Sequence, residues 1–174
     1  YYNHPYGSSY HQATGGAFVG YVDAPHEPRY FFGEGLAYTS FDYHDLQVTD
    51  MSDDIKVVCE ITNTGKRVGT EIVQLYLQNR HASMVRPNLE LLGTARVLLL
   101  PHQTKLVRFK VAISQLAYLH EDMSWRVDQA PLDLLVGHAV NDLRLSKTVD
   151  IQQENVFDEK SRAFYATSKV IAIQ

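Results

Sequence analysis

Ile55-Lys56-Val57-Val58-Cys59-Glu60-Ile61-Thr62-Asn63-Thr64-Gly65-Lys66 is followed after a short gap by Val73-Gln74-Leu75-Tyr76-Leu77-Gln78. In the first run Ile55, Val57, Cys59 and Ile61 recur at every second place, with Lys56, Glu60 and Thr62 between them; Val58 alone breaks the pattern. Such alternation marks a strand with one buried face, because successive side chains leave a pleated backbone on opposite sides. The second run repeats it, with Val73, Leu75 and Leu77 inward and Gln74, Tyr76 and Gln78 outward. Between them Asn63-Thr64-Gly65-Lys66 supplies turn chemistry, with Gly65 able to take a positive φ. A strand-turn-strand pair is expected, with Val73 in the middle of a core strand.

The pattern extends in both directions. Upstream, Phe41, Tyr43, Leu46 and Val48 suggest a first strand with one irregularity. Downstream, residues 79–88 read as a polar loop containing His81, Arg86 and Pro87. Val107, Phe109, Val111 and Ile113 then alternate against Arg108 and Lys110, and residues 132–137 read as a further strand. About seven short strands with turns every 8–12 residues predict an all-β sandwich over residues 41–151. From Gln152 onward the reading stays open. Phe157, Lys160, Phe164 and Ser168 fit helical spacing weakly, whereas Val170 to Ile173 would suit a short strand.

Residues 1–40 are different in kind. The first 29 are rich in tyrosine, histidine and proline with little periodicity, and an irregular arm is expected there. It ends in Tyr30-Phe31-Phe32-Gly33-Glu34-Gly35-Leu36-Ala37-Tyr38-Thr39-Ser40-Phe41, five aromatics and two glycines in twelve residues. The glycines allow a positive φ and close backbone approach, and the rings bring apolar area that needs a partner surface. This stretch is read as the joint between a docking arm and the β-domain, with residues 152–174 as a C-terminal extension.

Composition narrows the function classes. The 174 residues carry 20 acidic and 16 basic side chains, a net charge of −4. That balance gives no electrostatic reason to expect a nucleic acid or an anionic membrane as partner, and neither is expected. The longest apolar run, Val97 to Leu100, is far too short to span a bilayer. With Cys59 as the single cysteine, neither an intrachain disulfide nor a cysteine-based metal site is expected. The chain begins at Tyr1 without a charged-then-apolar leader, as expected of a segment taken from a longer polypeptide.

Several motifs carry a resemblance. The pattern aromatic-x-Phe-Gly-x-Gly-Leu-small-Tyr-Thr-x-Phe over residues 30–41 resembles the lead into the C-terminal fibronectin type III-like domain of family 3 glycoside hydrolases. The run from Ile61 through Asn63-Thr64-Gly65 to Glu71-Ile72-Val73-Gln74-Leu75-Tyr76-Leu77 is similar to the same family over seventeen residues. Pro87-Asn88-Leu89-Glu90-Leu91-Leu92-Gly93 and Arg96-Val97-Leu98-Leu99-Leu100-Pro101 also match, as do Trp125, residues 132–137 and Asn141-Asp142-Leu143-Arg144-Leu145. The chain departs from the pattern at His102-Gln103, where Gly-Glu is usual, and at Ala130, where glycine is usual. The resemblance covers about residues 28–151. It implies a fibronectin type III or immunoglobulin-like sandwich whose parent removes β-linked glucose or xylose from glycan ends. The partner it implies is the set of catalytic domains of the same polypeptide, contacted through Tyr30, Phe31, Phe32, Gly33, Gly35, Leu36 and Tyr38.

No catalytic residue is expected in this chain. Retaining glycoside hydrolysis needs two carboxyl groups about 5–5.5 Å apart, and the resemblance places both upstream, with no matching position here. The acids Asp53, Asp54, Glu121, Asp122, Asp128, Asp133 and Asp142 read as turn and rim residues that keep a sheet soluble. Eight histidines show no HExxH or other ligand spacing, so no metal and no cofactor are expected. Cys59 sits on a buried strand face and reads as an unreactive small hydrophobe. No Gly-x-Ser-x-Gly elbow supports a Ser-His-Asp arrangement, and Gly33-x-Gly35 lacks the third glycine of a phosphate loop. Aromatic platforms also bind sugars, so oligosaccharide is an alternative partner. Tyr6, His11 and Tyr21 on the arm are the candidate sugar or active-site-rim contacts. An independent immunoglobulin-like interaction domain is the remaining alternative.

Overall fold

A computed structural model describes residues 28–173. The alternating segments form β1 (Phe41–Asp50), β2 (Asp54–Asn63), β3 (Gly69–Gln78), β4 (Glu90–Leu99) and β5 (Thr104–Ala112). They continue as β6 (Tyr118–Leu119), β7 (Trp125–Val127), β8 (Pro131–Ala139), β9 (Asp142–Asp150), β10 (Asn155–Phe157) and β11 (Thr167–Ala172). Two four-stranded antiparallel sheets, β1-β2-β5-β11 and β4-β3-β8-β9, pack together, and β10-β7-β6 makes a small third sheet. The all-β sandwich expected from the alternation is thus present. Over 41–151 it has more strands than the seven expected, because β6 and β7 of the small sheet are too short to show a period; β11 lies where Val170 to Ile173 suggested a strand.

The core is the one the alternation assigns. Ile55, Val57, Cys59 and Ile61 of β2 and Val73, Leu75 and Leu77 of β3 are all buried, together with Val107, Phe109 and Val111 of β5. Full burial of each such side chain stabilises the fold by about 1.5–3 kcal/mol. In β1 the irregularity is a bulge: the register with β2 shifts between His44 and Gln47, and Asp45 takes φ 52°. One inserted residue reverses parity, so Phe41 and Tyr43 before it and Leu46 and Val48 after it can all pack on the core. At the departure His102-Gln103, His102 takes φ 60° and the Leu100–Gln103 turn closes with a 3.1 Å backbone bond. A non-glycine residue therefore holds the left-handed position.

Asn63 holds the β2–β3 connection. Its side chain is buried, and its Oδ1 accepts from Thr39 Oγ1 (2.6 Å) and from the Gly65 amide (3.0 Å). Its Nδ2 donates to the carbonyls of Arg67 (2.8 Å) and Leu99 (3.1 Å). Every hydrogen-bonding site of the amide has a partner, and removal would strand buried groups that water reaches poorly. Asn63→Ala is expected to cost about 2 kcal/mol, read as a lower urea midpoint at unchanged slope. An unchanged midpoint would show that water replaces the amide freely.

One local expectation is corrected, and the reading left open from Gln152 onward is decided for its strand alternative. Gln74 and Tyr76, assigned outward by alternation, are buried. The reason is tertiary: the joint and the end of β8 lie over Gln74, which in turn accepts from Tyr76 Oη at 2.6 Å. The weak helical spacing of Phe157, Lys160, Phe164 and Ser168 forms no α-helix. It resolves into β10, a short 3₁₀ turn at Glu159–Ser161 and β11. The last strand pairs antiparallel with β5 from Thr167↔Lys110 to Ala172↔Lys105. An unpaired β5 edge would leave a row of backbone groups bare, and β11 covers it.

Candidate docking site

The joint is built on a tight turn. The Glu34 amide donates to the Phe31 carbonyl at 3.1 Å, and the Phe31 amide donates to Glu34 Oε2 at 2.9 Å. Gly33 occupies the third position with φ 81°, the left-handed value that a type II turn demands there. Three joint carbonyls then face donors of the sandwich. The carbonyl of Phe32 accepts from the Val140 amide (3.1 Å), that of Gly33 accepts from Gln74 Nε2 (3.1 Å), and that of Gly35 faces His138 Nε2 (3.4 Å). At its far end the joint is tied by Thr39 to Asn63 and by the Ser40 carbonyl, which accepts from the Thr64 amide at 2.9 Å.

The backbone is held, yet most of its large side chains point away from the sandwich. Tyr30 is 75% exposed, Phe32 64%, Leu36 104% and Tyr38 91%. Phe31 is half-buried. The two glycines also differ. A Cβ on Gly33 would lie 2.7 Å from Gln74 Cδ, whereas one on Gly35 would meet nothing within 4 Å. Close backbone approach therefore holds at Gly33, and at Gly35 the described residues leave open space. Tyr6, His11 and Tyr21 lie outside the described residues.

Beneath the joint sits a charged cluster that pattern reading did not assemble. Glu71, almost wholly buried, accepts from the Ile72 amide (2.9 Å) and pairs with His138 Nδ1 (2.7 Å). Arg144 grips Asp142 with two bonds of 2.9 and 2.7 Å, donates to the Phe41 carbonyl, and lies 5.0 Å from the Tyr43 ring centre. Burial raises the Tyr43 phenol, and the Glu71 charge adds to that. Arg144's hydrogen bonds hold Asp142 below the ordinary carboxylate range. Burial alone would lower His138, but the Glu71 hydrogen bond and charge outweigh it and raise the imidazole. Glu71 shares parity with Val73, Leu75 and Leu77, so its inward direction was available from the strand period; that His138 would meet it was not.

The acids weighed for catalysis are otherwise engaged. Asp54 pairs with Lys110 at 2.9 Å, Asp122 with Arg126, Asp142 with Arg144, and Asp133 accepts from Thr148 Oγ1 at 2.6 Å. Asp53 and Glu121 are exposed. Ser83, His120 and Asp128 do come together. Ser83 Oγ is 3.5 Å from His120 Nδ1, and His120 Nε2 is 3.3 Å from Asp128 Oδ1 but out of line for a hydrogen bond. Asp128 is instead occupied by the Tyr118 hydroxyl and the Ser83 amide. Burial would raise its carboxyl, and these hydrogen bonds outweigh burial and lower it. The cluster anchors the 79–88 loop. Burial pushes the Cys59 thiol up to about 12, consistent with an inert core residue. Among the described residues no three His, Cys, Asp or Glu side chains gather to hold a metal.

Two packed antiparallel sheets with an ordered lead-in segment define a fibronectin type III-like β-sandwich, and residues 71–140 match the model of the fibronectin type III-like domain. Thermostable beta-glucosidase B of Acetivibrio thermocellus is 38% identical over 144 residues, covering 78% of this chain and 19% of that protein. The periplasmic beta-glucosidase of Salmonella typhimurium is 36% identical over 121 residues, 67% of this chain and 16% of that protein. Among solved structures, beta-glucosidase 3B from Thermotoga neapolitana in complex with glucose superposes with a TM-score of 0.72 at 31% identity, over 75% of this chain and 18% of that one. The chain spans less than a fifth of the length of these relatives. The chain thus carries a fibronectin type III-like domain over residues 71–140 and is similar to the corresponding part of family 3 beta-glucosidases.

Proposed function

We propose that this chain is a non-catalytic module that docks on, and stabilises, the catalytic domains of a family 3 glycoside hydrolase within the same polypeptide. The observation that carries the reading is the joint itself: a backbone pinned to the sandwich that presents Tyr30, Phe32, Leu36 and Tyr38 to solvent. Rings on a floppy segment could fold back at little cost. Rings held outward on a fixed backbone are pre-organised for a partner surface, since large exposed apolar groups in one place mark an interface. Phe31 and Gly33 serve the same site by shaping its backbone, and Gly35 through the carbonyl that faces His138. On this reading the arm over residues 1–40 and the sandwich over 41–151 are the working divisions, and the parent cleaves terminal β-D-glucosidic or β-xylosidic bonds.

The test sets this chain beside the full polypeptide, with aryl β-glucoside and β-xyloside as substrates. The chain alone is expected to turn over neither. Leu36→Asp with Tyr38→Asp is expected to lower the thermal stability of the catalytic domains in the full polypeptide while leaving the isolated chain's melting temperature unchanged. Turnover by the chain, or a full polypeptide indifferent to both changes, would overturn the reading.

A further inference from the structure

We infer that His138 is a proton-operated latch: its imidazolium bridges the buried Glu71 carboxylate and the Gly35 carbonyl, so the joint is held against the sandwich when the ring is protonated and loosened when it is not. The argument rests on hydrogen-bond inventory. A neutral imidazole offers one N–H donor and one lone pair, whereas an imidazolium offers two donors. Both ring nitrogens of His138 face oxygens that can only accept: Glu71 Oε1 at 2.7 Å from Nδ1, and the Gly35 carbonyl at 3.4 Å from Nε2. One proton cannot serve both. The shorter bond to a buried carboxylate keeps it, and Nε2 then turns a lone pair toward the carbonyl of Gly35.

The surroundings favour the charged ring. Glu71 on β3 and Asp142 at the start of β9 both face His138 and both raise it. Arg144 is held bidentately by Asp142, which offsets its charge, and burial keeps the nearby Tyr43 phenol on β1 neutral. His138 lies within the second of two register shifts of β8, at Val136/Gly137 and at Gly137/Ala139, which takes it out of simple alternation. The same short segment bears on the other contacts of the Phe31–Glu34 turn: the His138 carbonyl shares Gln74 Nε2 with the Gly33 carbonyl, and the Val140 amide holds Phe32. A change at the ring is therefore transmitted locally to the whole turn. Because the folded imidazole is raised above its ordinary 6.5, the stabilisation is complete below that pH and is lost as pH climbs through the folded value. The latch lies within the chain, so it stands or falls independently of what the joint docks against.

Nuclear magnetic resonance on the full chain, from about pH 5.5 to about pH 9, tests this across the histidine range. The His138 ring is expected to titrate above 6.5, and the amide signals of Gly33, Gly35 and Val140 to shift with the same midpoint. Val140 amide protection, corrected for intrinsic exchange, should fall about fivefold across that midpoint, the equivalent of one hydrogen bond. His138→Gln should abolish the pH dependence of the joint signals; if that variant does not fold, the wild-type titration decides. Joint amides that stay still while the ring titrates would overturn the latch. So would a ring midpoint at or below the ordinary value, or an unchanged pH dependence in His138→Gln.

Discussion

Val73→Asp is expected to leave no folded chain. Val73 is fully buried at the centre of β3, with Gln74 and Leu75 beyond it paired to β8 and the whole strand paired to β4. The change removes about 1.5–3 kcal/mol of apolar burial and puts an unpaired carboxyl in the middle of the core. Protonating that carboxyl, or letting water in, still costs several kcal/mol. A domain with about 5–15 kcal/mol of total stability has little left after that. Circular dichroism and a thermal melt decide the matter. A variant with the wild-type melting temperature would mean that residue 73 faces solvent, and the parity of β3 would have to be reversed.

Gly33→Val should detach the joint and spare the sandwich. Valine at φ 81° is strained by about 1–2 kcal/mol or more. Its Cβ would also collide with Gln74, whose buried amide holds Gly33, His138 and Tyr76 together. Release of the turn caps the damage at roughly the worth of its few hydrogen bonds, about 3 kcal/mol at most. A chain of this size would then melt about 2–4 °C lower for each kcal/mol lost, and the Val140 amide would exchange faster. Gly35→Val is the contrast. Nothing stands within 4 Å of its Cβ, so the isolated chain should change by no more than about 0.5 kcal/mol. Global unfolding by Gly33→Val would place the joint in the core. Equal damage from Gly35→Val would show that the Gly33 turn is not what holds the joint.

Much of the fold was legible because a half-buried strand writes its burial directly into every second residue. Ile55 to Ile61, Val73 to Leu77 and Val107 to Val111 needed no partner to be assigned, and the break in β1 announced itself as a loss of phase that proved to be a bulge at His44/Gln47. Asn63-Thr64-Gly65 was legible as a turn, though not as a hub that reaches Thr39 and Leu99. Gln74 and Tyr76 misled, since their period is that of a solvated face and only the joint above them makes it a covered one.

By itself, then, the amino-acid order determined the all-β class, the core residues of β2, β3 and β5, and an aromatic, glycine-containing segment ahead of β1. All of these are set by period, turn chemistry and the low solubility of exposed rings, which act over a few residues. The tertiary structure alone decided that β11 covers β5, that Gly33 is pinned while Gly35 is free to be filled, and that His138 meets Glu71. Those two residues lie 67 positions apart. Glu71 follows the period of β3 whereas His138 sits at a register shift of β8, and only the pairing of β3 with β8 brings a buried carboxylate, an imidazole and a joint carbonyl together.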